Sequence, residues 1–275
     1  MSPLLRLVRP FTLLAPLMAG ILLSVWASGI LDYRAIVAGL ILSLLQASGQ
    51  VTNQIVDREL DKIVKPYRPL ARGDVSVSTA VALDMVIIIV SLLLMLLLES
   101  RLPIMLALMI MLFALGYNTR TVRCNLVLNI MFTSISRGLL PPLFVYSIFR
   151  PIDSTALSTA IVCFTWVLSL QPTKDILDVE GDRMFGYRTL PAVLGVDRSI
   201  RLMKLMLVLL YTPACIVCGT FYTPLVFLSV LAVPGLVTLK YAYTRFSENN
   251  IAWICFYLGL CTIYLVLSIH QLLII

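Results

Sequence analysis

The 275-residue chain has one histidine, fourteen acidic residues and only 13% charged side chains. Soluble domains carry about 25% charged residues, so an ordinary soluble globular fold is excluded. A lone imidazole, His270, argues against a histidine-built metal centre or haem ligation. The six cysteines carry little chemistry: Cys163, Cys215, Cys218, Cys255 and Cys261 lie in apolar runs, Cys124 lies near a loop, and all read as structural thiols. The apolar runs are continuous and do not alternate, which excludes a transmembrane β-barrel. No nucleic-acid recognition module is visible, and the basic residues are interleaved with carboxylates. The net charge of +7 therefore reads as a topology signal and contact with anionic lipid headgroups, with no nucleic-acid partner.

What fills the chain is hydrocarbon: 60% of residues are hydrophobic and the mean hydropathy is +0.99. A spanning helix needs about 20 mostly apolar residues. The sequence divides on that basis into roughly 12–30, 35–53, 77–98, 101–117, 125–149, 155–173, 202–219, 221–239 and 250–270. The expected architecture is an all-α, polytopic membrane bundle of about nine transmembrane helices, forming a single domain over 1–275. The run from Phe11 to Ile30 is a first membrane helix, because more hydrophobic sequence follows it without a small-residue cleavage site. With nine spans, seventeen of the twenty-one Lys and Arg fall on one side, Arg34, Arg101 and Arg150 on the other, and Arg137 within a span. The positive-inside rule places the crowded side in the cytoplasm.

Seven of the fourteen acidic residues are packed into two short runs on that side. The first, N-Q-I-V-D-R-E-L-D-K, holds Asn53, Asp57 and Asp61 at a spacing of four; the second, K-D-I-L-D-V-E-G-D-R, holds Asp175, Asp178, Glu180 and Asp182. Helical spacing stacks the first three on one face and does the same for Asp178 and Asp182, with Asp175 a turn back and Glu180 pointing away. Oxygen donors without a histidine or cysteine cluster suit a hard cation such as Mg²⁺. Basic residues flank both runs: Arg58, Lys62, Lys65, Arg68 and Arg72 beside the first, Lys174, Arg183 and Arg188 beside the second. Metals and cations together fit a polyanion, and a diphosphate is the natural candidate. The alternative is an ion transporter, whose carboxylates belong near mid-depth; here they gather at one face. Asp84 and Arg137 are the plainly intramembrane charges, and either a mutual pair or separate polar roles fit the sequence.

The two acidic runs resemble the aspartate-rich motifs of the UbiA superfamily of intramembrane prenyltransferases. Asn53, Asp57 and Asp61 match N-x-x-x-D-x-x-x-D, and K-P-Y-R-P-L-A-R-G (65–73) resembles the motif's tail. Residues 174–195, K-D-I-L-D-V-E-G-D-R-M-F-G-Y-R-T-L-P-A-V-L-G, are similar to the second motif throughout. Two departures stand out. Many members have Asn-Asp where this chain has Asn53-Gln54, a form that resembles the homogentisate branch, and Arg72 stands where Ser usually precedes the glycine.

The resemblance implies transfer of a polyprenyl group from a polyprenyl diphosphate to a lipophilic acceptor, an aromatic quinone precursor or a glycerol lipid, with Mg²⁺ assisting ionisation. It implies two metal-binding groups, Asn53, Asp57 and Asp61, and Asp175, Asp178 and Asp182. It implies diphosphate contacts from Lys65, Arg68, Arg123 and Lys174. Tyr117, in the loop 117–125, is implied to orient the acceptor or steady the allylic cation. Arg137, in S-R-G-L-L-P-P, resembles an Arg-Gly segment of the homogentisate branch and is placed to meet an acceptor's acidic group. The oligomeric state is not specified.

Overall fold

A computed structural model describes residues 2–218, 245–246 and 249–274. Its helices form an integral, multi-pass membrane bundle. Among the described residues seven helices are long and apolar enough to cross a bilayer: Pro10–Ser28, Tyr33–Val56, Val77–Met95, Leu126–Phe149, Ser154–Asp175, Val196–Ile216 and Ile251–Leu273. An eighth apolar helix, Arg101–Gly116, is shorter; its sixteen residues reach about 24 Å. The expected span at 221–239 lies outside the described residues. Two short strands, Arg245–Phe246 and Asn249–Asn250, pair antiparallel just before the last helix.

The turns between spans are set by local chemistry. Gly29, at φ 75°, ends the first span in a left-handed cap, and the carboxylate of Asp32 then accepts from Arg34 N–H to start the next. Asp153 caps the Ser154–Leu170 helix through Ala156 N–H, and Asn125 caps the Leu126–Ser134 helix through the N–H groups of Val127 and Leu128. Each acceptor satisfies orphan donors that lipid could not.

Two spans lie at the centre. Tyr33–Val56 and Ser154–Asp175 are each 67% buried, against 22% for Val77–Met95, whose Met85, Val86, Ile89 and Leu93 face outward towards lipid. Small residues let the central helices approach closely. A Cβ on Gly20 would lie 2.1 Å from the backbone nitrogen of Gly39, so the first two spans touch backbone to backbone. Gly138 meets the 154–170 helix in the same way, at 2.7 Å from the carbonyl oxygen of Cys163. Cys163 and Cys215 are buried thiols, whereas Cys255 and Cys261 are half-buried. Phe144 and Tyr146 pack in the core, and Phe132 meets Phe113 edge-on at 4.9 Å.

The helix Leu126–Phe149 is not regular. Residues Ile135–Leu139 form a π-turn, with Leu140 N–H bonded to the Ile135 carbonyl five residues back. Pro141 and Pro142 follow and have no N–H to give to the carbonyls four residues upstream, so the ladder widens there. Arg137 sits in this widened turn.

Replacing Gly20 with Val should cost roughly 1–3 kcal/mol of stability, since the added carbons have nowhere to go without moving a backbone. A thermal melt of the detergent-solubilised protein checks this. A melting temperature equal to wild type would mean the two helices are not in backbone contact.

Candidate functional site

The two acidic runs meet across one cavity. Helix Tyr33–Val56 ends at Asp57, and a short helix, Arg58–Val64, continues beyond it. The i→i−4 bonds persist through the break, Asp57 N–H to the Asn53 carbonyl and Asp61 N–H to that of Asp57. Asn53, Asp57 and Asp61 therefore stay on one face. On the other wall, a 3₁₀ turn at Gln171–Asp175 leads into the short helix Val179–Met184. Asp178 N–H bonds to the Asp175 carbonyl and Asp182 N–H to that of Asp178, which turns all three aspartates inward. The walls touch at Gly181, where a Cβ would lie 2.6 Å from the Val64 side chain. Glu180 is exposed, as its position on the helix requires.

The cavity has about 1250 Å³ of empty space including its open mouth, and Asn53, Asp57, Asp61, Asp175, Asp178 and Asp182 all line it. So do Tyr117, Lys65, Arg68, Arg123, Lys174 and Arg137. The fold thus gathers all twelve residues singled out by the sequence from four separate segments.

Within the cavity, each of four carboxylates faces a cation. Arg68 donates to both oxygens of Asp61, at 2.9 and 2.7 Å. Arg123 pairs with Asp57, and both are buried. Lys65 Nζ lies 2.5 Å from Asp178 Oδ2, and Lys174 Nζ lies 2.5 Å from Asp175 Oδ1 and 2.9 Å from the Tyr117 hydroxyl. Asp182 is the exception: among the described residues it has no ion-pair partner and accepts instead from the Thr189 hydroxyl at 2.8 Å. Burial, reinforced by the neighbouring charge of Asp175, pushes its carboxyl up to about 7. Burial also raises Asp61 despite Arg68. Burial pushes Asp178 up too, but the Lys65 ammonium outweighs it and holds the group below the usual carboxylate range.

The donor set fits a hard divalent cation, being oxygen-rich and free of soft ligands. Among the described residues, no three acidic groups converge on one point. Asp57, Asp61, Asp175 and Asp178 are each turned towards a cation, so a metal bound by them would have to exchange with these cations. Asn53 gives amide hydrogens to Asp57, at 2.9 Å, and to Asn118, at 3.1 Å. What it has left for the cavity is its oxygen.

Several contributors were not picked out from the sequence. Tyr187 lies with its ring 3.8 Å from the Arg123 guanidinium and donates to Asp57 at 3.3 Å, tying the second acidic loop to the first. Asn118 holds Asn53, and Thr189 holds Asp182. The amides Gln46 and Gln50 line the cavity as well. Polar residues inside an apolar span, at three- and four-residue steps from Asn53, were a usable signal for this last pair. The others depend on loops that fold back and carry none. Asp84 is not the partner of Arg137: it accepts from Ser48 and Thr52, each at 2.6 Å, on a different face of the Tyr33–Val56 helix. Arg137 lies 5.8 Å from the Trp253 ring.

Behind the polar cavity lies an apolar chamber of about 540 Å³, lined by side chains such as Leu42, Pro141, Phe256, Leu260 and Tyr264. Leu45, Gln46, Ala114, Ser136, Arg137 and Tyr257 line both spaces and form the neck between them.

Residues 13–260 match the sequence model of the UbiA prenyltransferase family. Digeranylgeranylglyceryl phosphate synthase of Methanoculleus marisnigri is 25% identical over 201 residues, 72% of this chain and 70% of the synthase. Homogentisate phytyltransferase 1 of Arabidopsis thaliana is 30% identical over 229 residues, 77% of this chain but 55% of the plant protein. This chain thus aligns with little more than half the length of the plant relative. Among solved structures, a UbiA homolog from Archaeoglobus fulgidus bound to GPP and Mg²⁺ shares the fold, with a TM-score of 0.73 at 14% identity over 98% of this chain and 99% of that one. A digeranylgeranylglyceryl phosphate synthase structure does so with a TM-score of 0.67 at 20% identity, covering 98% of both chains.

Removing one member of a buried ion pair leaves an uncompensated charge, which typically costs about 3–5 kcal/mol. Arg68→Met should therefore destabilise the ligand-free protein strongly, while the double change Arg68→Met with Asp61→Asn should recover most of the loss. Chemical denaturation in detergent reads both. Additive losses would mean that the two side chains do not interact.

Proposed function

The chain belongs to the UbiA prenyltransferase family, and from that premise we propose that it transfers a polyprenyl group from a polyprenyl diphosphate to a lipophilic acceptor. One observation carries this reading. Two aspartate groups and the cations Lys65, Arg68, Arg123 and Lys174 share a cavity that opens through a neck onto an apolar chamber. Such a site takes a head rich in negative oxygen at one end and hydrocarbon at the other. The Archaeoglobus fulgidus homolog bound to GPP and Mg²⁺ supports the same pairing of ligand and metal.

In this reading Asn53, Asp57 and Asp61 would hold one Mg²⁺, and Asp175, Asp178 and Asp182 another. Metal held there would supply positive charge against the departing diphosphate. Lys65, Arg68, Arg123 and Lys174 turn from their carboxylates to the phosphate oxygens and add their charge. Leu42, Phe256 and Leu260 take the isoprenoid tail. The bond between C1 and oxygen breaks, and its electron pair leaves with the diphosphate. An electron pair of the acceptor closes on C1, and the acceptor gives up a proton. The apolar chamber beyond the neck keeps water from the allylic cation. The Tyr117 ring, held by Lys174, offers its π face to that cation or orients the acceptor. Arg137, at the neck, meets an acidic group of the acceptor. The Lys and Arg bias of the loops supports, by the positive-inside rule, a cytoplasmic face for this chemistry within one membrane domain.

Purified protein, labelled geranylgeranyl diphosphate, Mg²⁺ and a panel of aromatic and glycerol-lipid acceptors test the reading. Product and diphosphate release are expected, and EDTA should abolish both. Asp57→Ala and Asp182→Ala should each lower turnover about 10²-fold or more, while Glu180→Ala stays near wild type. Full activity in both aspartate variants would remove the metal assignment.

A further inference from the structure

The cavity wall on the helix Tyr33–Val56 carries a stripe at helical steps: Gln46, Gly49, Gln50, Asn53 and Asp57 all line it. Gln50 sits one turn deeper than Asn53 and is only 7% exposed. Its amide orientation follows from its neighbours. The Thr12 hydroxyl gives its one hydrogen to the Arg9 carbonyl at 2.8 Å, so towards Gln50 it can only accept. Gln50 therefore presents Nε2 to Thr12, at 2.6 Å. That leaves the carbonyl oxygen Oε1 buried without a hydrogen-bond partner among the described residues. Buried acceptors in native proteins are nearly always satisfied, and each exception needs a cause.

The turn that anchors this arrangement is itself unusual. Arg9 has φ 49°, the one positive value among the described non-glycine residues, and it precedes a proline. A residue before proline is pushed towards extended backbone, so the Arg9 conformation is held by its surroundings and fixes the carbonyl that orients Thr12.

The donor substrate cannot satisfy Gln50. A prenyl chain is hydrocarbon, and its diphosphate offers acceptor oxygens. Asn53 and Asp57 stand nearer the mouth, so a metal bound there is a turn or more away. Among the reactants, the partner that remains is the second substrate. We propose that Gln50 Oε1 accepts a hydrogen bond from a hydroxyl of the acceptor, and that Gln50, oriented by Thr12 and the Arg9 carbonyl, selects hydroxylated acceptors. This inference rests on the prenyl-transfer reading and names the substrate class within it. A site built to bond a hydroxyl discriminates strongly against the analogue that lacks one, because its own polar group is then left unpaired.

The test compares probes that differ only at the hydroxyl: a para-hydroxylated aromatic acid against its methyl ether, and a glycerol-ether phosphate against its deoxy analogue. The two pairs separate phenolic from alcoholic acceptors. Calorimetric titration of the full-length protein, loaded with inorganic diphosphate and Mg²⁺, is expected to show the hydroxylated member of at least one pair binding about tenfold tighter or better. Gln50→Leu should abolish that preference and raise the acceptor KM about tenfold, leaving the donor KM and Mg²⁺ dependence unchanged. Thr12→Val should move the preference in the same direction, and Thr12→Ser should restore it. Gln50→Met, closer in shape, replaces the leucine variant if the latter does not fold. Absence of hydroxyl preference in wild type, its retention in the Gln50 variants, or a shift in donor KM or Mg²⁺ dependence would overturn the inference. Hydroxyl-selective binding without prenyl transfer would instead count against the transfer reading alone.

Discussion

The structure turns on the mutual neutralisation of buried charge at the edge of the bundle. Isolated carboxylates buried there would be too costly to keep ionised. Asp57, Asp61 and Asp175 remain buried, and Asp178 partly buried, because Arg123, Arg68, Lys174 and Lys65 reach them. These pairs also hold the loops together. Lys65 to Asp178 joins residues 113 positions apart, and Arg123 to Asp57 joins residues 66 apart. Without the cations, the two acidic walls would repel each other and open. Without the carboxylates, four cations would line a cavity bordered by hydrocarbon.

The same pairing gives the site its chemical logic. Four of the five aspartates that could hold a metal are occupied by a cation that could hold a phosphate. Metal and diphosphate arriving together can exchange with both partners at once, so that no group is stranded. Asp182, the one aspartate here without an ion-pair partner, is pushed up to about 7 by burial and the neighbouring charge of Asp175. Positioning side chains complete the arrangement. Tyr187 braces Arg123 and Asp57 together, Thr189 holds Asp182, and Asn118 frees the oxygen of Asn53.

The hydrocarbon part of the fold serves the polar part. Gly20 against Gly39, and Gly138 against Cys163, bring the helices around the chamber into backbone contact. The π-turn at Ile135–Leu139 carries Arg137 to the neck, where polar and apolar spaces meet. Its cause is local, since Pro141 and Pro142 supply no hydrogen to the preceding turn. The stripe from Asp57 to Gln46 continues that polarity down one wall, so the neck has both an aromatic-cationic side and an amide side.

The sequence by itself determined the solvent, the fold class and the metal-type chemistry. Twenty-residue apolar runs can only be membrane helices, and an oxygen-only ligand set at four-residue spacing points to a hard cation whatever surrounds it. Its acidic, basic and aromatic candidates all line one cavity, because a charge near lipid has few places to go. Tertiary structure alone decided the pairing. Whether Arg137 faced Asp84 depended on helix rotation, and the Tyr33–Val56 helix turns Ser48 and Thr52 to Asp84 while turning Gln50 and Asn53 to the cavity. Tyr187, Thr189 and Asn118 act across loops whose return path no local pattern encodes. The unsatisfied oxygen of Gln50 belongs to the same class: the sequence shows an amide in a greasy helix, but which of its two polar atoms is left over depends on a hydroxyl 38 residues away.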